Sequence, residues 1–122
     1  MEKIRKMENI KGVSADMPLF VTVQDLMYYD GPLSTHVKIN DEDYLFDWVD
    51  CDEKYNRWLI SKSDINRINK YLKDDNFYDL TFPRIENFVI MVDITFNNGE
   101  VEYHNVMKVM NEDVPEDYKP SK

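Results

Sequence analysis

From Leu19 to Ile60 the chain alternates apolar and polar residues in short runs broken by polar turns. Leu33, Thr35, Val37 and Ile39 alternate with Ser34, His36, Lys38 and Asn40, so a strand places the first set on one face and the second on the other. Asn40-Asp41-Glu42-Asp43 supplies turn formers, after which Tyr44, Phe46 and Trp48 restart the alternation with residues that suit a pleated surface. The spacing predicts a hairpin. A second polar loop, Asp50 to Asn56, leads into Arg57-Trp58-Leu59-Ile60 and extends the prediction to an antiparallel meander. Upstream, Asp30-Gly31-Pro32 marks a corner, which makes Leu19 to Tyr29 the first strand. In that strand Asp25 falls on the face of Leu19, Val21 and Val23, so a β-bulge is expected near Gln24 or Asp25.

After Ile60 the period changes. Ile65, Ile68 and Leu72 recur at helical spacing behind Ser63, which reads as the N-cap, and Lys70 and Lys73 fall in the last turn beside the negative end of the helix dipole. Asp74-Asp75-Asn76 ends this helix, and Phe77 to Pro83 fits either a short helical turn or an extended connector. Phe88, Ile90, Val92, Ile94 and Phe96 then form the most apolar strand, expected to be central. Asn98-Gly99 suits a type I′ turn, and Val101 and Tyr103 open the partner strand. That strand runs on through Val106, Met107 and Val109, with a phase change near His104-Asn105. Residues 1–17 carry a thin apolar stripe of Met1, Ile4, Met7 and Ile10, which fits a helical or poorly ordered N-terminal extension. Residues 112–122 form an acidic, proline-containing C-terminal tail. The pattern therefore predicts one α+β domain over residues 18–111. Its mostly antiparallel sheet should have about five or six strands, with one main helix packed against it.

Composition supports one domain, since 122 residues with 43% hydrophobic content can bury a single core. Cys51 is the lone cysteine, so no intramolecular disulfide and no cysteine-rich zinc site can form, as suits a reducing cytoplasmic setting. The apolar runs are too short to span a bilayer and the N-terminus lacks a secretory pattern, so a cytoplasmic protein without membrane association is expected. The net charge of -9 disfavours direct nucleic-acid binding. The charge is uneven: Asp41, Glu42, Asp43, Asp47, Asp50, Asp52 and Glu53 follow one another with no basic residue between, whereas Lys62, Arg67, Lys70 and Lys73 lie in the next segment beside only Asp64.

Leu45 or Lys54 falls at the third ligand position of a calcium loop in the two possible registers. Asp52-Glu53-Lys54 has the order of a metal-dependent nuclease motif, with Asp41 or Asp47 as a second carboxylate, but it falls in a turn rather than on a strand. His36 and His104 have no neighbouring histidine or cysteine, and Cys51 lies between aspartates, a poor setting for a nucleophile. Gly12, Gly31 and Gly99 are isolated and build no phosphate loop. No catalytic, cofactor or metal residue is assigned.

What remains is surface. Trp48 and Trp58 fit the core by alternation, whereas Tyr28, Tyr29 and Tyr55 lie next to turns, where aromatics beside charge serve as interface anchors. The sequence thus points to a non-enzymatic protein-binding module, an acidic inhibitor, antitoxin, immunity or phage anti-defence protein covering a basic surface of its target. One version is a nucleic-acid mimic. The expected partner-binding residues are Tyr28, Tyr29, Asp41, Glu42, Asp43, Asp47, Asp50, Asp52, Glu53 and Tyr55, and the chain is expected to be a monomer or homodimer. The alternatives are a metal-dependent enzyme using the Asp41 to Glu53 carboxylates and an accessory domain that self-assembles through an edge strand.

Three stretches carry a resemblance: Tyr28-Tyr29-Asp30-Gly31-Pro32-Leu33, the run Trp58-Leu59-Ile60-Ser61 before a helix, and the closing Val114-Pro115-Glu116-Asp117-Tyr118-Lys119-Pro120. Together they resemble a family of small bacterial domains of unknown function with a YYDGPL-type corner and an IPxxYLP-like ending. The resemblance covers about residues 19 to 120, with Lys119 standing where the family pattern has leucine. It implies a compact domain and no established chemistry.

Overall fold

The computed structural model describes the backbone of residues 4–28 and 32–119, and the side chains of 4–27 and 33–119. Its strands are β1 (Val13–Ser14), β2 (Val21–Tyr28), β3 (Pro32–Ile39), β4 (Glu42–Cys51), β5 (Asn56–Lys62), β6 (Phe88–Asn97) and β7 (Glu100–Met110), with helices α1 (Ile65–Asp74) and α2 (Phe77–Thr81) between β5 and β6. All strands join one antiparallel sheet in the order β1-β7-β6-β5-β4-β3-β2. The α+β class and the meander follow from the alternation. No helix among the described residues is long and apolar enough to cross a membrane.

The sheet has seven strands rather than five or six, because the N-terminal segment adds β1 to the outer edge of β7, pairing Val13 with Lys108 and Ser14 with Met107. Gly12 permits that approach: a Cβ there would lie 2.8 Å from the Lys108 carbonyl oxygen and 3.0 Å from Val109 Cγ2. A Gly12→Ala substitution is expected to cost about 1–3 kcal/mol by overpacking, read as a lower urea midpoint with unchanged slope.

The turns follow local chemistry. Asn40 and Asp41 take φ of 51° and 65°, and Asn98 and Gly99 take 53° and 82°, so both two-residue hairpins use positive φ at their central positions. The β2 ladder shifts register between Thr22 and Gln24 and again after Asp25, where the bulge was expected. The phase change in β7 coincides with Asn105 at φ 53° and a register shift opposite Met91 and Asp93. The N-cap of α1 is Asp64 rather than Ser63: the Asp64 carboxylate accepts from the Arg67 amide at 2.8 Å, while the Ser63 amide donates to the Asp43 carbonyl. Asn76 caps α2 by accepting from the Asp79 amide, so Phe77–Thr81 is helical.

Both faces of the sheet are covered. On one, Ile68 and Tyr71 of α1 and Leu80 beyond it pack on Leu45, with Leu26 and Phe77 beside them. Further along that layer Leu59, Val89, Met91 and Val109 meet Ile10, Val114 and Tyr118. Ile10 and Tyr118, which lie outside residues 18–111, are each 5% exposed within this layer. Each chain end has an apolar anchor that its charged neighbours obscure in the sequence. On the other face Val37, Ile39, Phe46, Ile60, Val92 and Ile94 form a second core, capped by Met17 and Phe20. β6 is interior, one place from the middle strand β5.

Candidate functional site

A meander places alternate turns at the same end of its sheet. The β2–β3 corner, the β4–β5 turn and the β6–β7 hairpin thus share one end, and the β3–β4 turn lies at the other. The acidic residues divide accordingly. Asp41, Glu42 and Asp43 lie at the β3–β4 end, while Asp50, Asp52 and Glu53 lie at the β4–β5 end, separated by a strand of roughly 30 Å.

Their environments differ as well. Asp41 and Glu42 are exposed, with Glu42 3.4 Å from Lys62 Nζ. Asp43 lies 2.7 Å from His36 Nε2 and 3.2 Å from Lys38 Nζ; burial acts to raise its pKa, but these hydrogen bonds outweigh it and hold the carboxyl below its ordinary value. Asp47 is interior and accepts a 2.6 Å bond from the Ser34 hydroxyl. Asp50 accepts from the Tyr118 hydroxyl at 2.7 Å. Asp52 accepts from the Tyr55 and Lys54 amides, which hold its pKa below the ordinary value, and Glu53 is exposed. Tyr55 is half-buried, its ring 5.3 Å from that of His104. The Tyr28 side chain and all of Tyr29 lie outside the described residues.

Beside that same end the sheet curls. Phe20, Thr22 and Asp25 from the β2 side and Phe96, Val101 and Tyr103 from the β6–β7 hairpin line one groove of about 240 Å³, floored by Thr35, Phe46, Asn56, Trp58 and Ile94. Strands four or five places apart can share a groove this small only if the sheet coils strongly, since adjacent strands lie about 4.8 Å apart. The Phe46 and Trp58 rings meet at a tilt of 59° with centroids 5.0 Å apart, and Phe20 meets Phe46 edge-on at 5.1 Å. The rim is open: Phe96 is 71% exposed, and Val101 and Tyr103 are also exposed. The sequence assigned these residues to strand faces without showing that the two flanks converge.

Two buried polar clusters were also missed. Arg57 projects into the layer of Leu59 and Met91, where its Nε and Nη2 donate to the two carboxylate oxygens of Asp93 at 2.7 and 3.1 Å. Its Nη1 donates to the Tyr118 hydroxyl at 3.0 Å and to the Arg5 carbonyl, and Asn105 Nδ2 donates to Asp93 at 3.0 Å. Burial works against the Arg57 charge, but the Asp93 carboxylate outweighs it and raises the guanidinium pKa. Burial also pushes the Tyr118 hydroxyl up to about 12, aided by its bond to Asp50. The cluster joins strands β4 to β7 to both chain ends. The available signal was Asp93 itself, a carboxylate in the most apolar strand, which needs a buried cation.

The second cluster surrounds Asp47. Burial pushes its carboxyl up to about 6, although the Ser34 hydrogen bond and the field of Arg84 pull it down. Arg84 Nη1 is buried without a hydrogen-bond partner, and a small cavity of about 170 Å³ lies between Asp47, Arg84, Phe77 and Tyr118.

Among the described residues, no three His, Cys, Asp or Glu side chains are grouped so that they could hold a metal ion. Comparison with known proteins found no family model, no curated protein and no solved structure that matches this chain.

Proposed function

We propose that this chain is a non-enzymatic protein-binding module: an acidic inhibitor, antitoxin, immunity or phage anti-defence protein that covers a basic surface of its target. The observation that carries the reading is the open aromatic groove, whose lining includes the Asp25 carboxylate; Asp52 and Tyr55 face the other side of the sheet, where they line a cavity with Arg57 and Asp93. Exposed apolar concavities rimmed by polar groups are characteristic of protein contact surfaces. Aromatics there supply tightness, and Asp25 together with the chain's net charge of -9 speeds encounter with a cationic partner. Asp41 and Glu42, at the far end of the sheet, contribute through the long-range field.

Affinity capture of the tagged protein from its native cell, with mass spectrometry of what is retained at low and moderate salt, tests this. A stoichiometric basic protein that leaves as salt rises supports the reading; retention of no protein, or of an acidic one indifferent to salt, contradicts it. Competition by duplex DNA for that partner identifies the mimic version.

A further inference from the structure

The groove's lining carries a chemical selection of its own. Its aromatic faces come from Phe20, Phe46, Trp58, Phe96 and Tyr103, none of its lining residues is a lysine or arginine, and its one charged residue is Asp25. The Thr35 hydroxyl donates to Asp25 Oδ1 at 2.9 Å, which fixes the carboxylate, and Oδ2 carries no protein hydrogen bond among the described residues. An apolar aromatic trough with one oriented, exposed carboxylate suits a side chain with an apolar stem and a cationic head. A neutral apolar occupant would gain nothing from Asp25, whose carboxylate is exposed to water, and an acidic one would be repelled by it in a chain of net charge -9.

We propose that the groove between β2 and the β6–β7 hairpin is a pocket for a lysine or arginine side chain presented by a segment of the partner protein. The stem lies over Phe96, Trp58 and Tyr103, and the head reaches Asp25 Oδ2. This deepens the protein-binding reading and rests on it for the biological partner, but the pocket's selectivity can be measured without that partner.

The test is an amide NMR titration of the full chain with a blocked pentapeptide bearing one arginine between two leucines, and with its counterpart bearing glutamate instead. The expected result is saturable shifts at Thr22, Asp25, Phe96, Val101 and Tyr103 with the arginine peptide, and weaker binding of the glutamate peptide by about tenfold or more. Phe96→Ala and Asp25→Asn should each weaken the arginine peptide by roughly tenfold. Phe96 is exposed, so its replacement leaves the fold intact, which the rest of the spectrum verifies. Equal binding of the two peptides, shifts away from the groove, or no saturable shift overturns the pocket. A captured basic partner whose affinity ignores Phe96→Ala and Asp25→Asn would overturn the pocket and leave the protein-binding reading standing.

Discussion

Asp93→Ala is expected to lower the unfolding free energy by about 3–5 kcal/mol, because it leaves the Arg57 guanidinium buried without its counter-charge. For a chain of this size that corresponds to a drop in Tm of roughly 10–20 °C, measured by calorimetry or chemical denaturation. Arg57 and Asp93 are each 1% exposed at the side chain, so water cannot take over the lost bonds. Arg57→Met combined with Asp93→Leu removes both charges and fills the space with apolar atoms. The double variant should therefore be more stable than Asp93→Ala alone, with a coupling of about 1 kcal/mol or more in the cycle completed by the single variants Arg57→Met and Asp93→Leu. Purely additive losses would mean that the pair is not a unit. The Tyr118 hydroxyl and the Arg5 carbonyl also bond Arg57, so the same variants should speed proteolysis at both chain ends.

The second large effect is a pH dependence set by Asp47. Its carboxyl titrates near pH 6 in the folded protein against 3.8 as the ordinary value, so the folded state holds the proton more tightly than the unfolded one. The group's contribution to stability is complete below pH 3.8 and is lost as pH rises to about 6, a change of about 3 kcal/mol. Asp47→Asn keeps an acceptor for the Ser34 hydroxyl and cannot ionise. It should equal the native protein in stability near pH 4 and exceed it by up to about 3 kcal/mol at pH 8. The curve to plot is the difference between the two proteins, because Asp43 and Asp52, with lowered pKa values, act in the opposite sense in both. A difference that stays flat from pH 4 to pH 8 would show that Asp47 is not buried as an acid.

The strands, turns and bulges were readable because they depend on local chemistry: alternation over 33–39 and 44–48, Asn98-Gly99 at a hairpin, and a phase slip at Asn105. The seventh strand was not, since a two-residue pairing depends on Gly12 meeting the Lys108 carbonyl across the sheet edge. Residues beyond 18–111 also reach the core: Ile10 does so with Met7 of the thin N-terminal stripe, whereas Val114 and Tyr118 are single apolar anchors among charged neighbours, with no periodicity to announce them. The acidic run from Asp41 to Glu53 reads as one patch only while β4 is ignored. A strand turns alternate carboxylates to opposite faces and carries the two ends apart, so Asp47 becomes interior while Glu42 and Glu53 stay in solvent. The groove needed tertiary structure altogether, because the curl that joins Phe20 to Tyr103 is a property of the whole sheet.

The most direct test of the account is the salt dependence of affinity between this protein and the partner it captures. The account predicts a partner with a basic surface whose association constant falls by about tenfold or more between roughly 50 and 300 mM salt, as opposite charges are screened. An affinity that does not change over that range would contradict recognition by the acidic surface.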